Sequence, residues 1–179
     1  MIRYLLILSV FSLGNSSDAF LLLRFSQAGV PLTGLTLLWS VQHALKAMLS
    51  TRGGGLSDRF GRRALIIAGW LIYAAVYAAF AASTSVAMLV ACFLAYSAYA
   101  AAVEGTEKAL VADLTPAPLR ATAFGWYAAV QGVGALGASL AFGALYQWFG
   151  APVAFLTGAA LALTAAAALS VTSLTSSAE

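Results

Sequence analysis

Six runs of this chain stay apolar for about twenty residues each, at roughly 4–23, 33–51, 64–82, 86–106, 121–146 and 152–172. About 20 apolar residues in a helix cross the hydrocarbon core of a bilayer, so each run predicts one crossing. No water reaches the backbone there, and an α-helix satisfies its own N–H and C=O groups. Only 8% of the 179 residues are charged, against about a quarter in soluble domains. A water-soluble fold of this composition would expose large apolar patches. The expected fold is therefore all-α and integral to the membrane, a single six-helix domain over residues 1–179 with the lipid bilayer as its partner.

Arg3 and the apolar stretch after it have the look of a secretory leader. No small-residue cleavage pattern follows, and apolar character resumes at Phe20–Leu23, so the first run reads as a retained span. The single cysteine, Cys92, excludes an intrachain disulfide and any multi-cysteine metal site. No cofactor or metal is expected.

Orientation follows from the basic residues. With the N-terminus inside, Arg3, Arg52, Arg59, Arg62, Arg63, Lys108 and Arg120 fall on the cytosolic side. Only Arg24 falls on the other, and Lys46 lies within a span. Both termini are expected in the cytosol, in a chain of the bacterial inner membrane.

The chain carries a faint repeat. Residues 54–61, GGLSDRFG, match residues 143–150, GALYQWFG, at an offset of 89, and each copy has a further glycine eight residues on, Gly69 and Gly158. Each copy joins the second and third run of its triplet. Three crossings per copy is an odd number, so the copies (about 1–85 and 86–179) are expected in opposite orientations, as inverted three-helix repeats. In the fifth run the pairs Ala128/Gly132, Gly134/Ala138 and Ser139/Gly143 have the small-xxx-small spacing of close helix packing.

The stretch GGGLSDRFGRR, Gly53–Arg63, lies between the second and third runs and reads as a loop over 52–63. It lacks the lysine and preceding strand of a phosphate-binding loop. It also lacks the aromatic interleaving of a nucleic-acid surface, so no nucleic-acid partner is expected. A positive-inside anchor accounts for the arginines but not for Gly55, Asp58 and Gly61 at these spacings. G-x-L-x-D-R-x-G-R-R resembles the cytosolic loop motif of the major facilitator superfamily. Phe11–Arg24, FSLGNSSDAFLLLR, is similar to the seventh helix of its bacterial members, and Glu104–Leu114, EGTEKALVADL, to the end of the tenth. Nearly the whole chain thus resembles the C-terminal six-helix half of a twelve-helix transporter. The resemblance implies alternating access, with the first, second, fourth and fifth helices of the half lining a central cavity. It further implies a cytosolic gate motif of Gly55, Asp58, Arg59, Gly61, Arg62 and Arg63, with Asp58 docking at a helix start of the opposite half.

The polar residues inside the spans sort in the same way. Runs three and six hold no Asp, Glu, Lys, Arg or His, whereas the others hold Asn15, Asp18, His43, Lys46, Glu104 and Gln131. Charges at membrane depth are costly and mark functional sites. Thr36, Ser40, His43, Lys46 or Ala47, and Ser50 share a helical stripe beside Trp39, which reads as one wall of a wet cavity. Lys46 either faces that cavity or snorkels to the interface. His43 either contacts the solute or bonds a neighbouring helix. Asp18 differs from Lys46 by about 12 Å in depth, too far for a direct pair. It is read either as a carboxylate that takes up and releases protons or as one bonded to Asn15 and backbone donors. Gln131, near the middle of its span, could bond a polar solute or another helix. Glu104 and Glu107, with Lys108 and Asp113, are expected at the cytosolic end of the fourth span, paired with the arginines of the 52–63 loop or free in solvent.

No residue set suggests catalysis, so no enzyme activity is expected. The leading reading is a half-size or C-terminal-half secondary transporter for a small solute, coupled to protons, working as a homodimer or with a partner six-helix half. The alternatives are a non-transporting membrane scaffold or remnant half-transporter, and a membrane-anchored enzyme using Asp18 or His43.

Overall fold

The computed structural model describes residues 1–174, and the side chains of all of these but 51–54, 56 and 58. Every regular element among them is helical: α1 (Ile2–Gly14), α2 (Ala19–Gln27), α3 (Leu32–Phe60), α4 (Arg62–Ala82), α5 (Val86–Asp113), a 3-10 turn (Ala117–Leu119) and α6 (Arg120–Val171). Among the described residues, four stretches can cross a membrane by length and composition: Ile2–Gln27, Arg62–Ala82, Val86–Asp113 and Ala117–Val171. α3 has 29 residues, about 43 Å at ~1.5 Å per residue, but its hydroxyls, Gln42, His43, Lys46 and arginines dilute its apolar character.

Three predicted loops turn out to be helical. The backbone of 52–60 continues α3, and only Gly61, at φ 85 and ψ 138, separates α3 from α4. α5 runs on to Asp113, so the first half of the predicted 107–120 connection is a helical extension. The uncharged 147–151 connection lies within α6, whose 52 residues contain one non-helical position, Gly150 at φ 83 and ψ 173. Charged residues mark where a helix leaves the hydrocarbon, not where its backbone stops. Positive φ at Gly61 and Gly150 is open to glycine and strained for other residues. Pro152 sits two residues beyond the Gly150 break, where a helix start tolerates its missing N–H.

The main packing is α1 on α6, α4 on both α5 and α6, and α3 on α5. α4 supplies the centre through Trp70, Tyr73, Tyr77 and Phe80, all fully buried at spacings of three and four. Around them, Phe11 stacks on Trp70 at 4.6 Å between ring centres, Tyr73 on Tyr77 at 4.1 Å, and Phe155 meets Tyr77 edge-on at 5.2 Å. Large apolar side chains such as Leu6, Leu37, Val133, Leu136, Leu140 and Trp148 are left outside.

Glycines set the closest helix approaches. A Cβ on Gly158 would lie 2.9 Å from Tyr77 Cδ1 and 3.0 Å from the Gly14 carbonyl oxygen; one on Gly14 would lie 3.0 Å from the Gly158 carbonyl oxygen. A Cβ on Gly69 would collide with Val103, and one on Gly134 with Ser12. Of the three small-xxx-small pairs, Gly134/Ala138 lies in the α1–α6 contact. Gly143 faces the Phe20 ring, and Ser139 accepts a bond from the Ser17 amide. The Ala128/Gly132 expectation is corrected: both residues are exposed, and nothing lies within 4 Å of a Cβ built on Gly132.

Candidate functional site

The first crossing is broken. Between α1 and α2 the chain leaves helical geometry at Asn15–Ser17, and other helices bond its polar groups. Tyr73 donates to the Gly14 carbonyl at 2.7 Å, Ser16 and Tyr77 share a hydroxyl bond at 3.3 Å, and the Ser17 amide donates to Ser139 Oγ at 3.3 Å. Irregular backbone at membrane depth persists where protein groups satisfy it or where it lines a cavity. Both conditions hold here.

A cavity of about 490 Å³ opens beside the break. From the break come Asn15 and Asp18; α3 adds Gln42, His43 and Lys46. α5 presents Tyr96, Tyr99, Glu104 and Glu107 at spacings that share a helix face, and α6 presents Tyr127, Gln131, Ala135 and Ser139 every fourth residue. Asn15, Asp18, His43, Lys46 and Gln131 are thus brought together, with Glu104 and Glu107 on the same wall. Trp39 is not in that wall: it packs against the core, its ring 4.6 Å from that of His43. Of the predicted stripe, His43 and Lys46 line this cavity; Thr36, Ser40 and Ser50 lie outside its wall and bond carbonyls of their own helix.

Asp18 Oδ1 accepts from the Tyr96 hydroxyl at 2.7 Å, not from Asn15 or a backbone donor. Lys46 Nζ lies 2.7 Å from Glu104 Oε2. His43 Nδ1 lies 3.0 Å from the Trp39 carbonyl oxygen, so the bond stays within α3; a carbonyl only accepts, so Nδ1 is the donor.

Glu107 departs furthest from expectation. It is 1% exposed. Its Oε1 accepts from Trp70 Nε1 at 3.2 Å, and its Oε2 from the Tyr127 hydroxyl at 2.9 Å and Gln131 Nε2 at 3.1 Å. The expected pairing of Glu104 and Glu107 with the arginines is therefore corrected. Glu107 is joined to α4 and α6, and Glu104 to α3. Asp113 of the same acidic set does meet a loop arginine, Arg62, at 2.8 Å; Arg63 bonds the Ser170 carbonyl, and the Arg59 guanidinium lies over the neighbouring Phe60 ring. Gly55 lies in the helix with nothing within 4 Å of a built Cβ. The Asp58 side chain lies outside the described residues.

Sequence reasoning passed over Gln42, Trp70, Tyr96, Tyr99 and Tyr127. The i,i+4 spacing of Tyr127 with Gln131 was a usable signal. So was the α5 series Tyr96, Ala100, Glu104, continued at Glu107.

Two comparisons bear on this architecture. The family profile described as Major Facilitator Superfamily matches residues 4–177. The chain belongs to the Major Facilitator Superfamily. Among the superfamily's curated members it is 33% identical over 170 residues to an uncharacterised MFS-type transporter of Methanocaldococcus jannaschii. The match covers 89% of this chain and 42% of that relative, so the chain spans less than half the relative's length. Superfamily membership and the apolar helices make it a multi-pass integral membrane protein.

Proposed function

We propose that the chain is one six-span half of a secondary transporter that moves a small solute by alternating access, with protons as the coupling ion. One half presents one wall of a path, so the reading requires a second half: another copy, a partner chain or the remainder of a longer polypeptide. The observation that carries it is the cavity at the broken first crossing, where Asp18 and Glu107 meet no cation within ion-pair distance among the described residues. The six-span inverted-repeat reading draws support from the matched glycines. Gly61 and Gly150, related by the offset of 89, both have positive φ. Gly69 and Gly158, related by the same offset, both lie at close contacts with a neighbouring helix.

In this reading Asp18 carries the proton, and His43, Lys46 and Gln131 contact the solute with Asn15 beside them. Asp58, Gly55, Gly61 and the arginines form the cytosolic gate, and both termini lie in the cytosol of a bacterial inner-membrane protein. Asp58 of one half docks near Thr122 of the other.

The test is proton flux and solute accumulation in proteoliposomes under an imposed pH gradient. Asp18→Asn should abolish proton-driven accumulation while the protein still inserts. Cysteines at 58 and 122 should cross-link between subunits, doubling the mass on a non-reducing gel. Absence of both flux and dimer would leave the scaffold or remnant reading.

A further inference from the structure

Gln42 lies on the cavity wall at 2% exposure, and its side-chain oxygen has no hydrogen-bond partner. A buried acceptor left empty in a protein interior is costly, and such groups are nearly always partnered. Gln42 lines a cavity large enough for a small organic molecule, and a donor brought into that cavity is the partner this acceptor lacks. Asp18 stands nearby through a short chain of contacts. The Gln42 main-chain carbonyl accepts from Ser97 Oγ at 3.3 Å, and the preceding residue, Tyr96, donates to Asp18 at 2.7 Å. Two consecutive residues of α5 therefore hold the backbone at Gln42 and the carboxylate of Asp18, and both residues line the same cavity.

The charges narrow the choice of ligand. The cavity holds Asp18, Glu104 and Glu107 against Lys46 and Lys108, with His43 beside them. Lys46 is occupied by Glu104, and Lys108 is exposed at the cavity's edge. An anion would meet Asp18 and Glu107 without compensation. A neutral polyol would fill the Gln42 acceptor but leave the Asp18 charge unanswered. A protonated amine supplies N–H donors and positive charge together. Tyr96, Tyr99 and Tyr127 on the walls suit an aromatic or apolar body, and tyrosine faces attract cations.

We infer that the cavity selects a protonated organic amine, its N–H groups shared by the Asp18 carboxylate and the Gln42 side-chain oxygen and its body against the wall tyrosines. The inference rests on the transporter reading for its purpose but not for its measurement, because binding needs only this cavity.

The experiment is calorimetric titration of the full chain in lipid nanodiscs with phenethylammonium, with 2-phenylethanol (the same body, uncharged) and phenylacetate (the opposite charge) alongside. The ammonium compound should bind saturably and about ten- to a hundredfold more tightly than the alcohol, as expected for hydrogen bonds to a charged group. Asp18→Asn should remove that advantage. Gln42→Leu should weaken amine binding about three- to tenfold while the ligand-free unfolding midpoint holds or rises, since it deletes an unsatisfied group. If Asp18→Asn does not fold, Gln42→Leu decides the matter. No saturable amine binding overturns the inference. So does alcohol or phenylacetate binding as tightly as the amine, or amine binding unmoved in a folded Gln42→Leu protein. Flux of phenylacetate in proteoliposomes would sink the amine site and keep the transporter; amine binding without flux of any solute would do the reverse.

Discussion

Gly158→Ala tests the glycine crossing on which the α1–α4–α6 packing rests. The new methyl carbon would lie 2.9 and 3.1 Å from Tyr77 Cδ1 and Cε1 and 3.0 Å from the Gly14 carbonyl oxygen. Ordinary carbon contacts are about 3.5–4.0 Å, so Tyr77 Cδ1 would have to shift and the other two atoms would have to give by a few tenths of an ångström. Tyr77 has nowhere to go: it is fully buried, stacked on Tyr73 at 4.1 Å, edge-on to Phe155 at 5.2 Å, and bonded to Ser16. The Gly14 carbonyl belongs to the end of α1 and is held by Tyr73. Overpacking of this kind costs about 1–3 kcal/mol. Alanine also gains roughly 1 kcal/mol over glycine in any helix interior, so the proper reference is Gly132→Ala, where nothing lies within 4 Å. The comparison cancels the helix term and leaves the contact. Thermal unfolding in detergent, followed by near-UV circular dichroism, should place Gly158→Ala below Gly132→Ala by about 1–3 kcal/mol. At roughly 2–4 °C per kcal/mol for a chain of this size, that is about 2–12 °C. Equal midpoints for the two variants would refute the reasoning.

Gly61→Ala and Gly150→Ala should each lose about 1–3 kcal/mol, because alanine resists φ near 85°; unfolding midpoints no lower than that of Gly132→Ala would contradict this. Phe60→Cys in a Cys92→Ser background should resist an impermeant thiol reagent in intact cells and react in inverted vesicles, as the charge bias requires; labelling from outside would reverse the orientation. Phe60 serves here because it is 61% exposed, whereas Ser57 in the same stretch is 5% exposed. Tyr96→Phe keeps the ring but removes the donor to Asp18, and should cost about 1.5–3 kcal/mol in an otherwise unchanged protein but much less beside Asp18→Asn. Additive losses in that double-mutant cycle would deny the coupling. Lys46→Met should change stability by under ~1 kcal/mol, because the side chains of its ion pair are 31% and 53% exposed; a loss several times larger would show that the pair is worth more than its exposure allows.

The helical class of this chain was legible because its cause is local: long apolar runs with few charges dictate helices wherever they sit. Helix ends were not. Arg62, Lys108 and Asp113 mark a change of solvent, and the backbone hydrogen bonds continue through it, so α3 and α5 overran their expected limits. Asp18, Lys46 and Gln131 stood out as polar groups in apolar sequence. Glu107 was misread because its three donors come from positions 70, 127 and 131, and no spacing within its own helix announces them. Tyrosines were hidden for a related reason: in a span their rings count as apolar, and their hydroxyls matter only once a neighbour is in place. Gln42 sits directly beside His43, on the wall that the stripe reading placed one position away.

The break between α1 and α2 also bears on the order of assembly. Its polar groups are bonded by Tyr73 and Tyr77 of α4, Tyr96 of α5 and Ser139 of α6, all of which follow it in the chain. Before those helices arrive, an opened turn in hydrocarbon would leave carbonyls and amides without partners, at several kcal/mol for each group. A continuous helix avoids that cost by bonding to itself. The first crossing is therefore stable as a straight rod while it stands alone, and it takes its bent form when the later helices dock. The cavity takes its walls from α3, α5 and α6 as well as from the break, so it exists only once those helices are in place.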